Sequence, residues 1–478
     1  MILFGTGGIR GVMQRGEFDN ETVMVASKGV SNYMKDKGLS RVVIAYDTRN
    51  NSRKFAELAA MVFAADGHKT LIFKEPVPTP VLSYAVRYLK FDIGVVITAS
   101  HNPPEYNGYK VYTSNGVQAI PEITDILRKF IENVKRDNIK LEDSFSYVED
   151  VVLESYIDKV CEILDEDLNG VDVVYTPLHG TGAIPVVAAL RKLGANVITV
   201  EEQMFPDGNF PTVSTPNPEE DEALNFVRKY MKKHNVKLGI ATDPDCDRVG
   251  VVWKDSRLTG NQVGVLLTDL LSRKVSENPM IVKTIVSTDM VKPLCKERNI
   301  TLFETPTGFK FIGDLIENKK DFNFLFGFEE SCGYLAGDHA RDKDGVIGTL
   351  LIALAAKKFD LLDRLEDLYK RYGYYMEKLL SFKFKDLTTP KKIYKELKLG
   401  KLPQGAQNTV DYSKGIDNIL PNETLRLDFD EGKIYVRPSG TEPKLKAYIM
   451  VNGDTKNRAH EFLSRLSNSF SSFIESII

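Results

Sequence analysis

The chain has 478 residues, too many for one typical hydrophobic core, and this length indicates three or four domains. Its 63 basic and 66 acidic residues give a formal charge of -3, which provides no bulk attraction to nucleic acid or to an anionic membrane. The four cysteines lack the paired spacing of a zinc site, and their sparseness is typical of a reducing compartment. We therefore expect a cytoplasmic protein.

Targeting and membrane-spanning segments are not expected. A glycine-rich motif begins at Phe4, where a signal peptide would place a charged and then an apolar segment. The longest strongly apolar run covers residues 350–356, far short of the ~20 residues that a spanning helix requires. We predict that this run forms a core helix.

The first domain is predicted over residues 1–140, where helices and strands alternate as in an α/β fold. The chain opens with Gly5-Thr-Gly-Gly-Ile-Arg-Gly11, whose amides and Arg10 suit a phosphate oxyanion, although a flexible terminus is equally consistent. We then predict a helix from about residue 21, a strand at 41–46, a helix near 54–65 and a strand at 69–73. The next helix follows Thr79 as its cap, with Pro80 in the first turn.

A predicted buried strand at 93–97 leads into Thr98-Ala-Ser-His-Asn-Pro-Pro-Glu-Tyr-Asn-Gly-Tyr-Lys110. Ser100 and His101 should therefore emerge at the carboxyl end of a strand, where open α/β sheets place their chemistry. The turn residues after them would hold the serine in a fixed position for nucleophilic attack. Taken alone, the segment is more typical of an ordinary Ser/Asn/Pro turn.

Residues 133–147 are charged and poor in core residues, which suggests a link to a second α/β domain at 150–256. We predict strands at 171–175 and 196–200, and a proline-rich excursion at 206–218 between the second of them and a helix ending near 234. His179 lies in a glycine loop, where we expect it to cap the helix that follows.

An acidic loop, with the sequence Asp243-Pro-Asp-Cys-Asp-Arg248, joins the predicted strands 238–242 and 249–253. At ~4 Å and an effective dielectric of ~20, each like-charged contact costs on the order of 4 kcal/mol, so a divalent cation is the natural partner of Asp243, Asp245 and Asp247. A calcium EF-hand is excluded, because Arg248 and Lys254 stand where that loop needs Gly and Glu. A solvated acidic turn is the alternative.

The third and fourth domains are predicted at 257–373 and 374–478. The third repeats the α/β alternation, with strands at 280–287, 301–304 and 322–328, and ends in a loop at Glu329. The fourth is a smaller α+β domain, with strands at 425–429, 432–436 and 445–451 and a helix over about 456–473. The segment 383–401 before these strands is rich in lysine and lacks a clear core pattern, and we expect it to act as a hinge. Between its last two strands lies Arg437-Pro-Ser-Gly-Thr441, which is either a simple hairpin connection or a phosphate-binding loop.

Five segments together resemble the α-D-phosphohexomutase family over nearly the whole chain and in the family's order. They begin at Phe4, Ser100, Asp243, Gly327 and Arg437, and the fourth reads Gly327-Phe-Glu-Glu-Ser-Cys-Gly-Tyr334. The resemblance implies three related α/β domains with mixed sheets and a smaller α+β domain around a central active-site cleft. It implies the interconversion of hexose 1-phosphate and hexose 6-phosphate through a phosphoserine and a bisphosphorylated sugar, with Mg²⁺ as the metal and glucose 1,6-bisphosphate as activator and intermediate.

The resemblance also assigns the candidate site residues. Ser100 carries the phosphoryl group and, with Asp243, Asp245 and Asp247, binds Mg²⁺, while Arg10 and Arg248 add positive charge. Lys110 is the first candidate for proton acceptor and His101 the second. The residues implied in sugar or phosphate binding are Thr307, Gly308, Lys310, Glu329, Ser331, Arg437, Ser439, Gly440 and Thr441.

The sugar-binding loop departs from the phosphomannomutase pattern E-M-S-G-H. The chain reads Glu-Glu-Ser-Cys-Gly after Phe328 and Asp-Lys-Asp-Gly from residue 342, so the histidine of that pattern is missing. This is similar to the phosphoglucomutase and phosphopentomutase branch, and we expect glucose phosphate first and mannose phosphate second. Phosphopentomutase and phosphoglucosamine mutase are alternatives, as are a metal-dependent sugar phosphatase and a non-catalytic sugar-phosphate sensor.

Overall fold

The computed structural model describes residues 8–273, 276–417, 419–440 and 443–477. Phe4 to Gly7 of the opening motif and Thr441 of the predicted phosphate loop lie outside these residues. The described chain contains four separate sheets, each with its own helices. The expected class, three α/β domains with mixed sheets and a smaller α+β domain, is confirmed.

The first domain has a six-stranded sheet in the order β1-β5-β4-β2-β3-β6. Strands β2, β3, β4 and β6 are parallel, whereas β5 runs antiparallel to β4 and to β1. Its elements are β1 (Ile9–Val12), α1 (Asn20–Asp36), β2 (Arg41–Tyr46), α2 (Ser52–Ala65), β3 (Lys69–Ile72), α3 (Thr79–Tyr88), β4 (Ile93–Ile97), β5 (Tyr106–Thr113), α4 (Pro121–Glu132) and β6 (Ser146–Tyr147).

The second domain has a five-stranded sheet in the order β11-β10-β9-β7-β8, in which β8, β7 and β9 are parallel. Strands β10 and β11 continue it as antiparallel hairpins. Its elements are α5 (Val151–Leu164), β7 (Asp172–Thr176), α6 (Ala183–Lys192), β8 (Asn196–Thr199), α7 (Asn225–His234), β9 (Leu238–Thr242), β10 (Val249–Trp253) and β11 (Ser256–Leu258).

The third domain has a four-stranded sheet in the order β13-β12-β14-β15, of which only β15 is antiparallel to its neighbour. Helix α11, which contains the apolar run at 350–356, is buried along most of its length, as predicted. The elements are α8 (Gly260–Leu271), β12 (Pro279–Thr284), α9 (Val291–Glu297), β13 (Thr301–Thr305), α10 (Phe309–Asn318), β14 (Asn323–Glu329), β15 (Gly333–Leu335), α11 (Gly345–Lys358) and α12 (Leu361–Tyr372).

The fourth domain is an antiparallel sheet in the order β16-β20-β19-β18-β17, with one face covered by two helices. Strand β18 has the predicted bounds, and β19 and β20 extend the predicted ones by a few residues. The elements are β16 (Tyr374–Lys383), α13 (Thr388–Lys398), β17 (Asn408–Asp411), β18 (Leu425–Phe429), β19 (Gly432–Pro438), β20 (Lys444–Gly453) and α14 (Lys456–Ile477).

The packing between domains differs along the chain. One continuous buried cluster joins a face of the first sheet to the second and third domains. The fourth domain has its own core and meets the third through a smaller cluster that includes Ile285, Tyr435 and Tyr448. Across the same boundary Lys433 forms an ion pair with Asp289. The first three domains therefore share one core, whereas the fourth is attached through a limited interface.

Two segments predicted as connections are instead parts of domains. Within 133–147, Ile139 and Phe145 pack against the core of the first domain, and β6 joins its sheet. Within 383–401, helix α13 buries Ile393 and Leu397 in the core of the fourth domain. The hinge prediction for 383–401 is therefore wrong, because the many lysines of α13 hide an apolar face with helical spacing.

Two predicted helix caps are also wrong. Helix α3 has Pro78 at its N-cap, and the Thr79 hydroxyl donates to Asp245 Oδ2 at 3.0 Å instead. Helix α6 has Gly182 at its N-cap, and the His179 ring lies 3.1 Å from the Phe205 carbonyl oxygen and 2.9 Å from Thr212 Oγ1. Both side chains hold distant loops rather than their own helix ends. No helix of the described chain is both long and apolar enough to cross a bilayer.

Candidate active site

Ser100, the candidate nucleophile of the first domain, lies against the acidic loop of the second. Ser100 follows the carboxyl end of β4, and its Oγ donates to Asp243 Oδ2 at 2.7 Å. The serine has a left-handed backbone, with φ of 54°, and its N–H donates to Thr98 Oγ1 at 2.8 Å. Ser100 is only 3% exposed, so its hydroxyl is fixed by the two loops rather than by solvent.

The three carboxylates of the acidic loop form a compact cluster between β9 and β10. One carboxylate oxygen from each of Asp243, Asp245 and Asp247 lies within 4.8 Å of the others, and all three residues are buried. Asp243 Oδ1 accepts the backbone N–H groups of Asp247 and Arg248, each at 3.0 Å. Within the described chain, Asp245 Oδ1 and Asp247 Oδ1 are buried and accept no hydrogen bond. Such a set of oxygen donors fits a hard divalent cation.

The pKa values of the three buried carboxyl groups shift in different directions. Burial together with the neighbouring carboxylates raises the pKa of Asp243 well above its usual value and also raises the pKa of Asp247. Burial would raise the pKa of Asp245 too, but Lys110 and Lys343 outweigh it and hold that pKa below its ordinary range. The loop therefore lacks enough positive charge to keep all three groups ionised, and a divalent cation would supply it.

Two lysines reach the cluster from other domains. Lys110 Nζ lies 3.1 Å from Asp245 Oδ2 and 3.8 Å from Asp247 Oδ2, and Lys343 Nζ lies 2.7 Å from Asp247 Oδ2. Lys110 is on strand β5, not in the serine loop where we expected it. Lys343 was not predicted as a site residue and was noted only within the Asp-Lys-Asp-Gly motif. Its position between Asp342 and Asp344 was the sequence feature that could have indicated a contact with the site.

The remaining basic candidates surround the serine loop. Arg10, on β1, donates to Asn102 Oδ1 at 3.1 Å. Arg248 pairs with Glu219, and this partner together with Asp247 raises the Arg248 pKa against the effect of burial. His101 Nδ1 lies 3.2 Å from Ser100 Oγ; burial and the nearby Arg248 and Arg10 hold its pKa well below the ordinary value. His101 is therefore neutral at pH 7.

The predicted sugar-binding residues meet in the third domain. Glu329 ends β14, is 5% exposed and accepts the Gly308 N–H on Oε1 at 3.0 Å. Burial raises the pKa of Glu329 to about 7, despite the attraction of Lys343. Ser331 follows in the turn after β14 and is partly buried.

Lys310 lies beside this turn, on the first residues of α10. It is 4% exposed, and its Nζ forms no hydrogen bond within the part of the chain that the structure describes. The Thr307 hydroxyl is likewise buried without a hydrogen bond among the described residues. Burial and Arg437 lower the Lys310 pKa to about 8. The Lys310 ammonium lies 5.2 Å from the centroid of the Phe311 ring, and a buried ammonium without a hydrogen bond is suited to an anionic ligand.

The predicted phosphate loop joins β19 to β20 in the fourth domain. Arg437 is paired in register with Lys446 on the neighbouring strand, and the Ser439 N–H donates to the Lys444 carbonyl oxygen at 2.9 Å. Burial and the adjacent Arg437 lower the pKa of Lys446. Among the described residues other than its chain neighbours, none has an atom within 4 Å of a Cβ built at Gly440. Lys446 was missed; the pairing of β19 with β20 brings it beside Arg437.

Comparison with known proteins covers the full length. The family descriptions Phosphoglucomutase/phosphomannomutase, alpha/beta/alpha domains I, II and III, and C-terminal domain, match residues 1–138, 154–257, 259–372 and 382–469. A protein of Staphylococcus saprophyticus named "Phosphoglucomutase" is 34% identical over 94% of this chain and 90% of its own. A Haemophilus influenzae protein named "Probable phosphomannomutase" is 34% identical over 92% of this chain and 94% of its own.

Solved structures agree on the fold. A phosphoglucomutase/phosphomannomutase family protein from Burkholderia thailandensis has a TM-score of 0.78 over 100% of this chain and 98% of its own, at 23% identity. At that identity the structural likeness shows the fold only. The four matched domain models and the two relatives are similar in sequence over nearly the whole chain, and they therefore show the family. The chain therefore belongs to the phosphoglucomutase/phosphomannomutase family and is a phosphohexomutase, an isomerase that moves a phosphoryl group within a sugar.

Proposed function

We propose that this phosphohexomutase interconverts glucose 1-phosphate and glucose 6-phosphate, with mannose phosphate as the second substrate. The observation that carries the mechanism is the 2.7 Å hydrogen bond from Ser100 Oγ to Asp243 Oδ2. It puts the oxygen that would carry the phosphoryl group beside three carboxylates suited to a divalent cation. Phosphoryl transfer depends mainly on such positioning and charge neutralisation.

The metal site is proposed to consist of Asp243, Asp245, Asp247 and the phosphorylated Ser100, with Mg²⁺ as the ion. Bound there, Mg²⁺ would neutralise charge on the transferred phosphoryl group. All the proposed ligands are hard oxygen atoms, whereas zinc sites usually include nitrogen or sulfur donors, and this favours Mg²⁺ over zinc. Arg10 and Arg248 flank the serine loop and would add further positive charge.

Each half-reaction exchanges one ester bond for another. A sugar hydroxyl attacks the phosphorus of phosphoserine, the bond to Ser100 Oγ breaks, and the hydroxyl proton passes to a base. Lys110 is our first candidate for that base and His101 the second. Lys343 contacts the same cluster, but Asp247, Asp342 and Glu329 raise its pKa against the effect of burial, so its proposed role is charge neutralisation. The bisphosphate then turns and returns its other phosphoryl group to Ser100; glucose 1,6-bisphosphate is the proposed intermediate and activator.

Substrate binding is proposed at the third and fourth domains. Glu329 and Ser331 would hydrogen-bond ring hydroxyls, with Thr307, Gly308 and Lys310 beside them. The phosphate distant from Ser100 would lie in the loop formed by Arg437, Ser439, Gly440 and Thr441, to which the structure leads us to add Lys446.

The choice of glucose over mannose rests on the third domain. Its sugar loop contains no histidine, and His339, the next histidine along the chain, is buried and lies 2.7 Å from Asp344 Oδ2 instead of facing the cleft loops. Among the relatives, both sugar names occur at the same 34% identity. We also propose boundaries at 1–140, 150–256, 257–373 and 374–478, and a cytoplasmic location, in keeping with four unpaired cysteines that are all buried.

The experiment is an incubation of the purified enzyme with Mg²⁺ and glucose 1-phosphate, in which glucose 6-phosphate and free phosphate are both measured. We expect glucose 6-phosphate, and an intact-mass increase of one phosphoryl group that maps to Ser100 after treatment with glucose 1,6-bisphosphate. Ser114→Ala, an exposed turn serine after β5, is the matched control for Ser100→Ala. Release of free phosphate alone would indicate a phosphatase. The absence of a mass shift under every condition would contradict the proposed phosphoserine intermediate.

A further inference from the structure

The backbone of the Ser100 loop is held by a single buried guanidinium. Arg49 Nη2 donates to the carbonyl oxygen of Ser100 at 2.5 Å and to that of Asn102, while Nη1 donates to the carbonyl oxygens of Pro103 at 2.8 Å and Tyr106 at 3.1 Å. The four acceptors span the loop from the serine to the start of β5. One side chain thus satisfies carbonyl groups that no regular secondary structure would satisfy.

Arg49 is itself fixed by the segment that follows β2. Its Nε lies 3.4 Å from Asp47 Oδ2, and both side chains are fully buried. Asp47 Oδ1 accepts the Arg49 N–H at 3.0 Å and the Ser52 hydroxyl at 2.6 Å. A buried charge needs a charged partner and hydrogen bonds, which Asp47 and the four loop carbonyl groups supply, although Arg49 Nε and Asp47 Oδ2 form no hydrogen bond within the described chain. The guanidinium therefore has one defined position beneath the loop.

The proline-rich excursion of the second domain covers the other side of Arg49. The Phe210 ring centroid lies 5.0 Å from Arg49 Cζ, and Phe210 is 1% exposed with a left-handed φ of 49°. Asn50 Nδ2 donates to Asn209 Oδ1 at 2.8 Å, and a Cβ at Gly208 would lie 2.3 Å from the Asn50 nitrogen. The excursion thus packs directly on this segment and helps to bury the guanidinium.

His179 stabilises the conformation of the excursion. Its two ring nitrogens lie 3.1 Å from the Phe205 carbonyl oxygen and 2.9 Å from Thr212 Oγ1, on either side of Phe210 in sequence. Thr212 Oγ1 also accepts from Gln203 Nε2 at 2.8 Å. This network presents Phe210 to Arg49 from the second domain.

We propose that Arg49 is the positioning residue of the phosphoserine loop, and that the second-domain excursion around Phe210 completes a clamp on that loop. The inference rests on the proposed phosphoserine function. Ser100 requires a left-handed backbone, which a serine adopts only when its surroundings impose it. The clamp imposes this conformation through the loop carbonyls and keeps Oγ aimed at Asp243 in both the free and the phosphorylated enzyme.

A positioning role predicts a specific kinetic change. A misplacement of about 1 Å at a reacting atom reduces the rate on the order of 100-fold, whereas the sugar contacts of the third and fourth domains are untouched. We expect Arg49→Lys to lower kcat by about 100-fold with KM changed less than about threefold. The lysine keeps the charge but cannot reach four carbonyl groups at once. Arg53→Lys, on the exposed face of α2, is the matched control and should leave both constants unchanged.

The experiment combines kinetics with two readouts that need no turnover. Hydrogen exchange of peptides covering residues 98–110 should rise in Arg49→Lys and in Phe210→Leu but not in Arg53→Lys. The ³¹P resonance of phosphoserine 100 should move or broaden in the same two variants. Free guanidinium at millimolar concentration should raise the kcat of Arg49→Ala by at least about tenfold, and urea should not raise it.

The outcomes separate the clamp from the mutase proposal. Arg49→Lys with kcat within about threefold of the wild type and unchanged exchange at 98–110 would overturn the clamp. If Arg49→Ala does not fold, the kinetics and hydrogen exchange of Arg49→Lys and Phe210→Leu still decide whether the clamp exists. A wild-type enzyme that never forms phosphoserine 100 would instead defeat the proposed function, while the exchange measurement would still decide whether Arg49 orders the loop.

Discussion

Glu329 gives the sugar site a defined dependence on pH. Burial raises its pKa from 4.5 to about 7, although Lys343 and Arg248 oppose the shift; Glu330 and Asp342 add to it. A carboxylate accepts hydrogen bonds from sugar hydroxyls better than a carboxylic acid does. With a pKa of about 7, the ionised fraction rises from about 0.1 at pH 6 to about 0.9 at pH 8, so the affinity for sugar should rise about tenfold over this range.

The matched variant isolates this one group. Glu329→Gln keeps an oxygen for the Gly308 N–H but does not titrate. The substrate phosphate also titrates near pH 6, but it does so equally for both enzymes. The ratio of kcat/KM between wild type and Glu329→Gln, measured from initial rates with glucose 1-phosphate at constant ionic strength, should therefore increase about tenfold from pH 6 to pH 8.

The same raised pKa predicts a change in stability of opposite sign. The folded protein holds the Glu329 proton more tightly than the unfolded chain does, so its contribution is most favourable below pH 4.5 and is lost as pH rises to about 7. The shift corresponds to at most about 3 kcal/mol at pH 8. Glu329→Gln should therefore melt at a higher temperature than the wild type at pH 8 and at a similar temperature at pH 5. A flat kinetic ratio together with equal melting at pH 8 would refute the reasoning.

Three further predictions concern the reacting serine, the metal and domain closure. Ser100→Ala should reduce turnover below about a hundredth of the wild-type rate in a folded protein whose melting temperature falls only slightly, because one hydrogen bond to Asp243 is lost; higher residual activity would exclude Ser100 as the carrier. Asp245→Ala should raise the Mg²⁺ concentration needed for half-maximal thermal stabilisation and activity at least about tenfold, and an unchanged titration would place the ion elsewhere. The fourth domain should close over glucose 1,6-bisphosphate about the connection at Gly373, which has a φ of 98°; small-angle scattering should show compaction that Arg437→Ala abolishes, and identical profiles would contradict closure.

Much of the fold was predictable because it depends on local patterns. Strands β2, β4, β9, β10 and β18 have the predicted bounds, since each is a short apolar or alternating run between turn residues. The acidic loop was predictable for a related reason, because its three carboxylates are adjacent in sequence and repel one another unless a cation binds. Helix α13 was missed because its apolar positions are few among many lysines, and only the sheet of the fourth domain shows what they cover.

The site contacts that were not predicted join segments that are distant in sequence. Thr79 and Lys110 reach Asp245 across a domain boundary, and Lys343 reaches Asp247 from the third domain. Arg49 is 51 residues from the serine whose carbonyl group it holds. No local period or spacing encodes such pairs, because they form only when separate domains pack and buried charges must find partners. The sequence by itself determined many of the strands, the position of Ser100 after β4 and the acidic loop; the tertiary structure decided which lysines, arginines and hydroxyls complete the site, because a buried charge is stabilised by whichever partner the packing brings near.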